Sequence, residues 1–267
     1  MLFINERKFN YKKGMRLADL ADDIKPGADL FIINGFPASA NTVLKDGDKC
    51  WIIKKGEIPG KDEINHLLYA RHTPGVQDKV KNAVVGIMGL GGLGSVVAIA
   101  LARIGVGRLL LADYDVVEPT NLNRQQYFMD QIGQKKTVAL KANLARINPY
   151  VVIETIDQKL TEDSIPELFK SVDALAECFD VPDMKAAAFR AALTGLNGVG
   201  YVGSSGLAGH GANNTITTRK LYPNVYIVGD GTSAACEGQG LMAPRVGIAA
   251  HHQANKILQI LLKKGRA

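Results

Sequence analysis

A short apolar strand that leads into a glycine-rich turn and then into an apolar helix constrains this chain more than any other stretch. Val84–Met88 is mostly apolar and β-branched, which is typical of a buried strand. Gly89, Gly91 and Gly94 follow at G-x-G-x-x-G spacing, and the apolar run Val96–Ile104 predicts a helix behind them. Glycine allows a tight turn and the close approach of an anion, and the start of a helix attracts phosphate. The segment therefore predicts a nucleotide site, the alternative being a purely structural turn.

A second predicted strand, Arg108–Asp113, strengthens the nucleotide interpretation. It ends in a carboxylate about 20 positions beyond Gly94, where dinucleotide-binding folds place the acid that binds a ribose hydroxyl. This order of elements predicts an α/β, Rossmann-like domain with a mainly parallel sheet. Further elements are predicted downstream: strands at Val151–Ile156 and Val172–Cys178, an antiparallel pair at Asn214–Thr218 and Val225–Val228, and a long helix over Ala243–Leu262.

Composition and charge exclude several classes of protein. With 46% apolar and 22% charged residues, the chain has the profile of an ordinary soluble protein. The net charge is +6 without a basic run interleaved with aromatics, so we expect anionic small ligands and no nucleic acid. No apolar stretch approaches the ~20 residues of a membrane span, and the N-terminus lacks the features of a signal peptide. We therefore expect no membrane partner and a cytoplasmic location.

The three cysteines, Cys50, Cys178 and Cys236, are far apart and form no Cys-x-x-Cys pair. This spacing argues against a disulfide framework and against a structural zinc site. It agrees with a reducing cytoplasm.

Residues 1–60 differ from the remainder and predict a small domain of their own, followed by a second domain over 61–267. Two strands, a helix and two more strands, separated by turn signals, give the element order of a ubiquitin-like β-grasp fold. These elements are predicted at Leu2–Ile4, Lys8–Tyr11, Met15–Ile24, Leu30–Ile33 and Cys50–Ile53.

The loop after Asp113 is polar at a place where open α/β sheets bind ligands. Asn121, Arg124 and Gln125 lie close together in the sequence, as though they face phosphates above the glycine turn. Lys136 comes at the predicted start of a helix, where the dipole disfavours a cation, so a bound anion would explain it. Its neighbour Lys135 is an equally placed candidate, and two solvated lysines are the alternative.

Asp180 follows the predicted strand Val172–Cys178, so its carboxylate can face the same crevice and hold Mg²⁺ through oxygen. The alternative is an N-cap, supplied by Asp180 or Asp183, for the helix after Pro182. The sequence leaves both interpretations open.

Together these residues resemble the ThiF/MoeB/HesA group, adenylyltransferases related to the ubiquitin-activating enzymes. The resemblance runs from about Arg71 to the C-terminus and rests on an ordered series of motifs. They are Gly89-x-Gly-Gly-x-Gly-Ser95, Asp113-x-Asp115, Asn121-Leu-x-Arg124-Gln125, Gly133-x-x-Lys136, Asp180, and Cys236-Glu237-Gly238 before Met242-Ala243-Pro244.

The resemblance implies ATP as the bound nucleotide and Mg²⁺ as the metal, with Asp180 as its ligand. Asp113 would hold the ribose, and Asn121, Arg124 and Lys136 would bind the phosphates. The implied nucleotide-binding set is Gly89, Gly91, Gly92, Gly94, Asp113, Asp115, Asn121, Arg124, Gln125 and Lys136.

The resemblance also implies a homodimer, in which an upstream arginine reaches the partner's ATP; Arg71 is the candidate here. Cys236 matches a cysteine that forms a covalent sulfur or acyl link in some members, the alternative being an unreactive small residue. ThiF and MoeB usually carry two Cys-x-x-Cys pairs that bind zinc; this chain has neither, so no zinc is expected.

Residues 1–60 resemble the ThiS-like sulfur carriers of thiamine biosynthesis, in Ile33-Asn34-Gly35 and in Leu44-Lys45-Asp46-Gly47-Asp48. Working carriers end in a free Gly-Gly carboxylate, whereas this chain continues past Gly60, so a docking or regulatory role is expected for this domain. The implied activity is adenylylation of the C-terminal glycine of a separate ThiS-like carrier, a step of thiamine (thiazole) biosynthesis. An NAD-dependent oxidoreductase and a non-catalytic carrier-binding regulator are the alternatives.

Overall fold

The N-terminal sheet is built on two tight hairpins. In this computed structural model, which describes residues 1–263, its elements are β1 (Leu2–Ile4), β2 (Arg7–Phe9), α1 (Ala18–Ile24), β3 (Leu30–Ile33), β4 (Phe36–Ala38) and β5 (Lys49–Ile53). The strands pair in the order β2-β1-β5-β3-β4. Both turns, Asn5-Glu6 and Asn34-Gly35, have positive φ, as two-residue hairpin loops require. The predicted β-grasp order is confirmed, and β4 is an additional edge strand.

Each face of this sheet has its own core, because successive residues of a strand point to opposite sides. Cys50 and Ile52 pack with Ala21 of α1. Between them in sequence, Trp51 packs on the other face with Ile32 and Ala70. Ala70 belongs to α2 (Lys61–Arg71), which is followed by α3 (Val76–Val80).

The backbone divides into two compact units after Gln77. The helix α2 lies with the first unit, where its Ala70 is buried. The domain bounds 1–60 and 61–267 stay a prediction, since compactness alone does not define a functional domain. Residues 264–267, the end of the second predicted domain, lie outside the described part of the chain.

The second unit is an α/β domain around a mainly parallel sheet, as the sequence predicts. Its strands and helices alternate, with helices on the crossovers, in the order expected for βαβ units. They are β6 (Val84–Met88), α4 (Gly92–Arg103), β7 (Arg108–Ala112), α5 (Lys136–Ile147), β8 (Val152–Ile156), α6 (Ser164–Phe169), β9 (Ala174–Glu177), α7 (Pro182–Gly195), β10 (Gly200–Ser204), β11 (Thr217–Tyr222), β12 (Val225–Gly229) and α8 (Ala243–Lys263).

The strand order of this sheet, β11-β12-β10-β9-β6-β7-β8, reverses between β6 and β9. The chain runs outward from β6 through β7 and β8, then returns to β9 and continues through β10 on the other side. Within residues 1–263 every pairing of this sheet is parallel except that of β11 with β12. Open α/β sheets bind ligands at such a switch point, outside the carboxyl ends of the strands. The glycine turn follows β6 and Asp180 follows β9, so both lie at this point.

The long helix α8 packs against α4 and against the sheet. Its buried apolar face includes Val246, Ala250, Ile257 and Leu261, at the three-to-four-residue spacing of an amphipathic helix. Across residues 1–263, none of the helices combines the length and the apolar composition needed to span a bilayer.

Candidate functional site

A cavity of about 600 Å³ opens at the carboxyl ends of the parallel strands in the second unit. Clefts of this size at a topological switch point are where α/β proteins bind small ligands. Most of the predicted site residues line this cavity, namely Gly89, Gly91, Gly92, Asp113, Asp115, Arg124, Gln125, Lys136 and Asp180. The structure therefore brings together residues that are spread over almost a hundred positions of the sequence.

Two glycines of the turn have no room for a side chain. Gly89 has a φ of +84° and would place a Cβ 2.9 Å from the carbonyl oxygen of Cys178. A Cβ on Gly94 would lie 1.9 Å from the carbonyl oxygen of Gly89. The first turn of α4 is thus pressed against the end of β6, and its Gly92 and Leu93 line the cavity. The free N–H groups of a helix start favour an anion at such a position.

Asp113 directly follows β7 and is buried, and both of its carboxylate oxygens accept hydrogen bonds from the backbone. Oδ2 accepts a hydrogen bond from the Leu90 N–H at 2.6 Å, and Oδ1 accepts one from the Asp115 N–H at 2.8 Å. The carboxylate is therefore fixed beside the glycine turn. It keeps lone pairs for a further donor such as a ribose hydroxyl.

Lys136, the first residue of α5, is the cation of this cavity that the protein buries most deeply. Its Nζ lies 2.8 Å from Oδ2 of Asp115, and its side chain is 7% exposed. Lys135 is arranged differently, since its Nζ contacts Asp157 and the Tyr114 carbonyl oxygen and its side chain is 45% exposed. Of the two lysines that the sequence leaves open, Lys136 is the one that lines the cavity.

Arg124 and Gln125 approach the glycine turn from the loop after β7. The Arg124 guanidinium donates to the Thr120 carbonyl oxygen and to Asn123, both through Nη1, and no described residue accepts from its other nitrogens. Gln125 is buried, and within residues 1–263 its Oε1 has no hydrogen-bond partner. A buried amide oxygen without a donor is destabilising, which favours a ligand at this position.

Three predicted residues of this unit stand outside the lining of the cavity. Gly94 lies beneath the turn, and Asn121 is buried, with its Oδ1 accepting a hydrogen bond from the Glu118 N–H. Cys236 is exposed on the loop between β12 and α8, whereas Cys50 and Cys178 are buried. Burial raises the pKa of the Cys50 thiol to about 12 and also raises that of Cys178. Arg71, the last residue of α2, is exposed in the first unit.

Asp180 is exposed at the mouth of the cavity. The N-cap residue of α7 is Val181, and no side-chain cap is formed, so neither Asp180 nor Asp183 plays the capping role that the sequence leaves open. In the described chain, no group of three or more His, Cys, Asp or Glu side chains is arranged to hold a metal ion. Mg²⁺ is commonly held by one or two carboxylates together with phosphate oxygens, and the exposed carboxylate of Asp180 suits that arrangement.

A lysine-centred cluster in the cavity wall escapes prediction from the sequence. Nζ of Lys185 lies 2.9 Å from Oε1 of Glu177, and it also contacts the carbonyl oxygen and Oγ of Ser204. Lys185 and Ser204 both line the cavity. The available signal is a lysine in the first turn of a helix, the same one that draws attention to Lys136.

A buried arginine holds the start of another segment that lines the cavity. Arg245 of α8 contacts Asp230 at 2.7 Å and donates to the carbonyl oxygens of Gly211 and Ala212. Burial alone would raise the pKa of Asp230, but hydrogen bonds from the Ser233 and Arg245 side chains outweigh it and hold the pKa well below its usual range. The loop that starts at Asp230 lines the cavity, so this ion pair fixes part of the wall.

Comparison with known proteins agrees with this geometry. The family model described as ThiF family matches residues 65–267, and the one described as ThiS-like ubiquitin matches residues 1–56. The molybdopterin-synthase adenylyltransferase of Salmonella typhimurium is 30% identical over 194 residues, which cover 71% of this chain and 77% of that protein. The ubiquitin-like modifier-activating enzyme 5 of Arabidopsis thaliana is 46% identical over 94 residues, which cover 35% of this chain and only 22% of that relative.

Solved structures show the same fold. The E. coli tRNA N6-threonylcarbamoyladenosine dehydratase in complex with AMP superposes with a TM-score of 0.67 at 21% identity, covering 76% of this chain and 94% of that one. Another structure of that dehydratase is in complex with ATP, with a TM-score of 0.65 and 21% identity over 74% of this chain and 91% of that one. The chain therefore belongs to the ThiF family and carries a ThiS-like ubiquitin domain before its Rossmann-like domain in sequence.

Proposed function

We propose that this chain is an ATP-dependent adenylyltransferase that activates the C-terminal glycine carboxylate of a ThiS-like sulfur carrier protein. One observation carries the proposal. Two cations and an exposed carboxylate, those of Arg124, Lys136 and Asp180, line a single cavity with the glycine turn at the switch point of the sheet. An oxidoreductase would have no use for two cations and an acid in this arrangement, whereas a triphosphate matches them.

In the proposed reaction a carboxylate oxygen of the carrier attacks the α-phosphorus of ATP. A new O–P bond forms, the bond from the α-phosphorus to the bridging oxygen breaks, and pyrophosphate leaves with that electron pair. The protein forms no covalent bond in this step, so positioning and charge neutralisation account for the rate. Lys136 and Arg124 would stabilise the negative charge that builds on the phosphates.

The residues present fit a divalent cation at the phosphates. Asp180 would hold it, and Mg²⁺ when bound would supply positive charge at the phosphates. Asp113, whose carboxylate is held by the Leu90 N–H, would accept a hydrogen bond from a ribose hydroxyl and so fix the nucleoside beside the turn. The Oε1 atom of Gln125, which has no hydrogen-bond partner within residues 1–263, would accept a hydrogen bond from the bound substrate.

The carrier is proposed to be a separate protein. The chain continues past Gly60, so the N-terminal domain has no free Gly-Gly carboxylate of its own to activate. Its match to ThiS-like ubiquitin supports a carrier of that type and a place in thiamine biosynthesis. A cytoplasmic homodimer in which Arg71 completes the partner's ATP site is part of the same proposal.

Mass spectrometry of a Gly-Gly-ended carrier incubated with this protein and ATP–Mg²⁺ tests the proposal. The expected result is a carrier that gains one adenylate, with pyrophosphate released. The matched control is the same carrier with an amidated C-terminus, which has no carboxylate to attack and should gain nothing.

Two other outcomes would each favour a different function. ATP binding by calorimetry without any adduct, for every carrier supplied, would favour the carrier-binding regulator. Binding of NAD in place of ATP would favour the oxidoreductase.

A further inference from the structure

Each of the three protons of the Lys185 ammonium group has a hydrogen-bond acceptor within the protein. An ammonium group has three protons, and Nζ of Lys185 meets Oε1 of Glu177 at 2.9 Å, the Ser204 carbonyl oxygen at 3.0 Å and Oγ of Ser204 at 2.8 Å. Glu177 is also satisfied, since it accepts from the N–H groups of Phe179 and Ser204 as well. The lysine charge is therefore neutralised by Glu177, and no proton of Nζ is left for a ligand.

The Ser204 hydroxyl, in contrast, keeps an unused donor. Oγ accepts the proton of Lys185, so the hydroxyl's own proton must point elsewhere. Among residues 1–263 no acceptor for that proton is found, although Ser204 is 3% exposed and lines the cavity. Buried hydroxyls nearly always donate, which leaves the cavity as the place of the missing acceptor.

The position of Ser204 in the sheet indicates which part of a substrate supplies that acceptor. Parallel strands end at one edge of the sheet, so the order of the strands gives the order of the subsites along that edge. In the order β7, β6, β9, β10, Asp113 follows the first strand, the glycine turn follows the second, Asp180 lies three residues past the third, and Ser204 ends the fourth. A nucleoside at Asp113 with its α-phosphate at the turn therefore directs the acyl side of the substrate away from β7, toward β9 and β10, where Ser204 lines the cavity.

We propose that the Ser204 hydroxyl, oriented by Lys185, donates a hydrogen bond to the acyl oxygen of the substrate as its carboxylate becomes joined to the α-phosphate. The inference rests on the proposed function and deepens it, because it assigns an acyl subsite that is separate from the phosphate subsite. Ser204 is the residue in contact with substrate, and Lys185 is a positioning residue.

Calorimetry with two adenosine ligands separates the subsites without turnover. The probes are AMP and 5′-O-(N-glycylsulfamoyl)adenosine, which differ by the acyl group and its linkage. For Ser204→Ala we expect the affinity for the glycyl sulfamate to fall about 10-fold or more, with AMP binding unchanged, because a buried donor to a charged group is lost. Ser205→Ala removes the adjacent, exposed hydroxyl and is the matched control, for which both affinities should stay at the wild-type level.

A second variant tests the positioning role of Lys185. Lys185→Arg keeps the charge beside Glu177 but moves the donor that orients Ser204, so it should also weaken the glycyl sulfamate selectively. Adding Ser204→Ala to Lys185→Arg should then cause little further loss, since the two act through one contact. A purely structural role would weaken AMP and the glycyl sulfamate together.

Each remaining outcome overturns the inference. Wild-type affinity of Ser204→Ala for the glycyl sulfamate would show that the hydroxyl makes no such contact. Equal weakening of both ligands would assign the contact to the phosphate. Failure of the wild-type protein to bind the glycyl sulfamate more tightly than AMP, with no adenylate formed on any carrier, would overturn the proposed function as well.

Discussion

Lys136 and Asp115 form an ion pair whose partners differ sharply in exposure. The side chain of Lys136 is 7% exposed and that of Asp115 is 47% exposed, with Nζ and Oδ2 2.8 Å apart. The Lys136 N–H also donates to the Asp115 carbonyl oxygen at 2.9 Å, which ties the helix start to the loop. A buried ammonium group without a counter-charge strongly destabilises a folded protein. Asp115 therefore stabilises the buried Lys136 ammonium when no nucleotide is bound.

The first prediction follows from this pair. Asp115→Asn should lower the free energy of unfolding by about 1–3 kcal/mol, because it leaves a buried cation with a neutral partner. Asp157→Asn is the control, since its pair with Lys135 is exposed on both sides and such pairs contribute about 0–1 kcal/mol. Denaturant unfolding measures both variants, and equal losses would contradict the unequal burial of the two pairs.

Lys136→Ala and Asp180→Ala should each lower carrier-dependent ATP–pyrophosphate exchange by about 10²–10³-fold, by analogy with the loss of one oxyanion donor. The physical reason is that each removes a group that neutralises, or holds a neutralising ion at, the phosphates. Lys135→Ala is the control and should keep its exchange rate. Retained exchange in both variants would refute the roles proposed for Lys136 and Asp180.

Gly94→Ala should disrupt the turn, because its Cβ would lie 1.9 Å from the carbonyl oxygen of Gly89 and backbone cannot yield cheaply there. By analogy with overpacked cores, we expect the free energy of unfolding to fall by about 3 kcal/mol. The variant should also no longer bind ATP. Gly247→Ala, also within a helix but with nothing near its Cβ, should instead be neutral or stabilising by about 0.5–1 kcal/mol. The melting temperatures of the two variants, measured with and without ATP, test both expectations.

If Arg71 completes the partner's site in a dimer, two inactive variants should complement each other. Arg71→Ala and Lys136→Ala, mixed so that subunits exchange, form hybrid dimers with one intact site, and random mixing gives about a quarter of the wild-type activity. An arginine that acts within its own subunit would leave every site incomplete. The mixture would then be as inactive as its components.

Asp230 provides a pH-dependent test of the cavity wall. Its pKa is lowered in the folded protein, so its stabilising contribution is complete above the unfolded-state pKa of about 3.9 and is lost as the pH falls through the folded-state pKa. Asp230→Asn should therefore be less stable than wild type at pH 7 by about 1–3 kcal/mol, and this difference should shrink below about pH 4.

Glu162→Gln, which breaks the exposed pair with Arg190, is the control for that experiment. It should destabilise the protein less at pH 7 than Asp230→Asn does. A difference between Asp230→Asn and wild type that stays constant down to pH 2 would contradict the lowered pKa.

Local patterns explain what the sequence predicts well. The bounds of β6 agree with Val84–Met88, because a β-branched run ended by glycine defines a strand without help from distant residues. The start of α4 differs, since the helix begins at Gly92 and not behind Ser95. Glycine is a poor helix former, but here close packing against Gly89 and a bond from the Ser95 N–H to the Gly91 carbonyl oxygen hold the first turn.

Tertiary contacts explain what the sequence misses. The edge strand β11 is predicted at Asn214–Thr218 but forms at Thr217–Tyr222, because its mostly exposed residues give no apolar alternation and pairing with β12 sets its register. β4 contains Pro37, which is compatible with an edge strand only. The partners of Lys185 come from two other strands, so no local pattern reveals that cluster.

The three cysteines differ in exposure, so one of them can carry a fluorescent label selectively. Within the described chain Cys236 alone is exposed, while Cys50 and Cys178 are buried thiols with raised pKa values. A maleimide fluorophore at neutral pH would therefore attach at one native position, on the loop whose residues 231–235 line the cavity. Changes in its emission on nucleotide binding would follow that loop, with no cysteine removed or introduced.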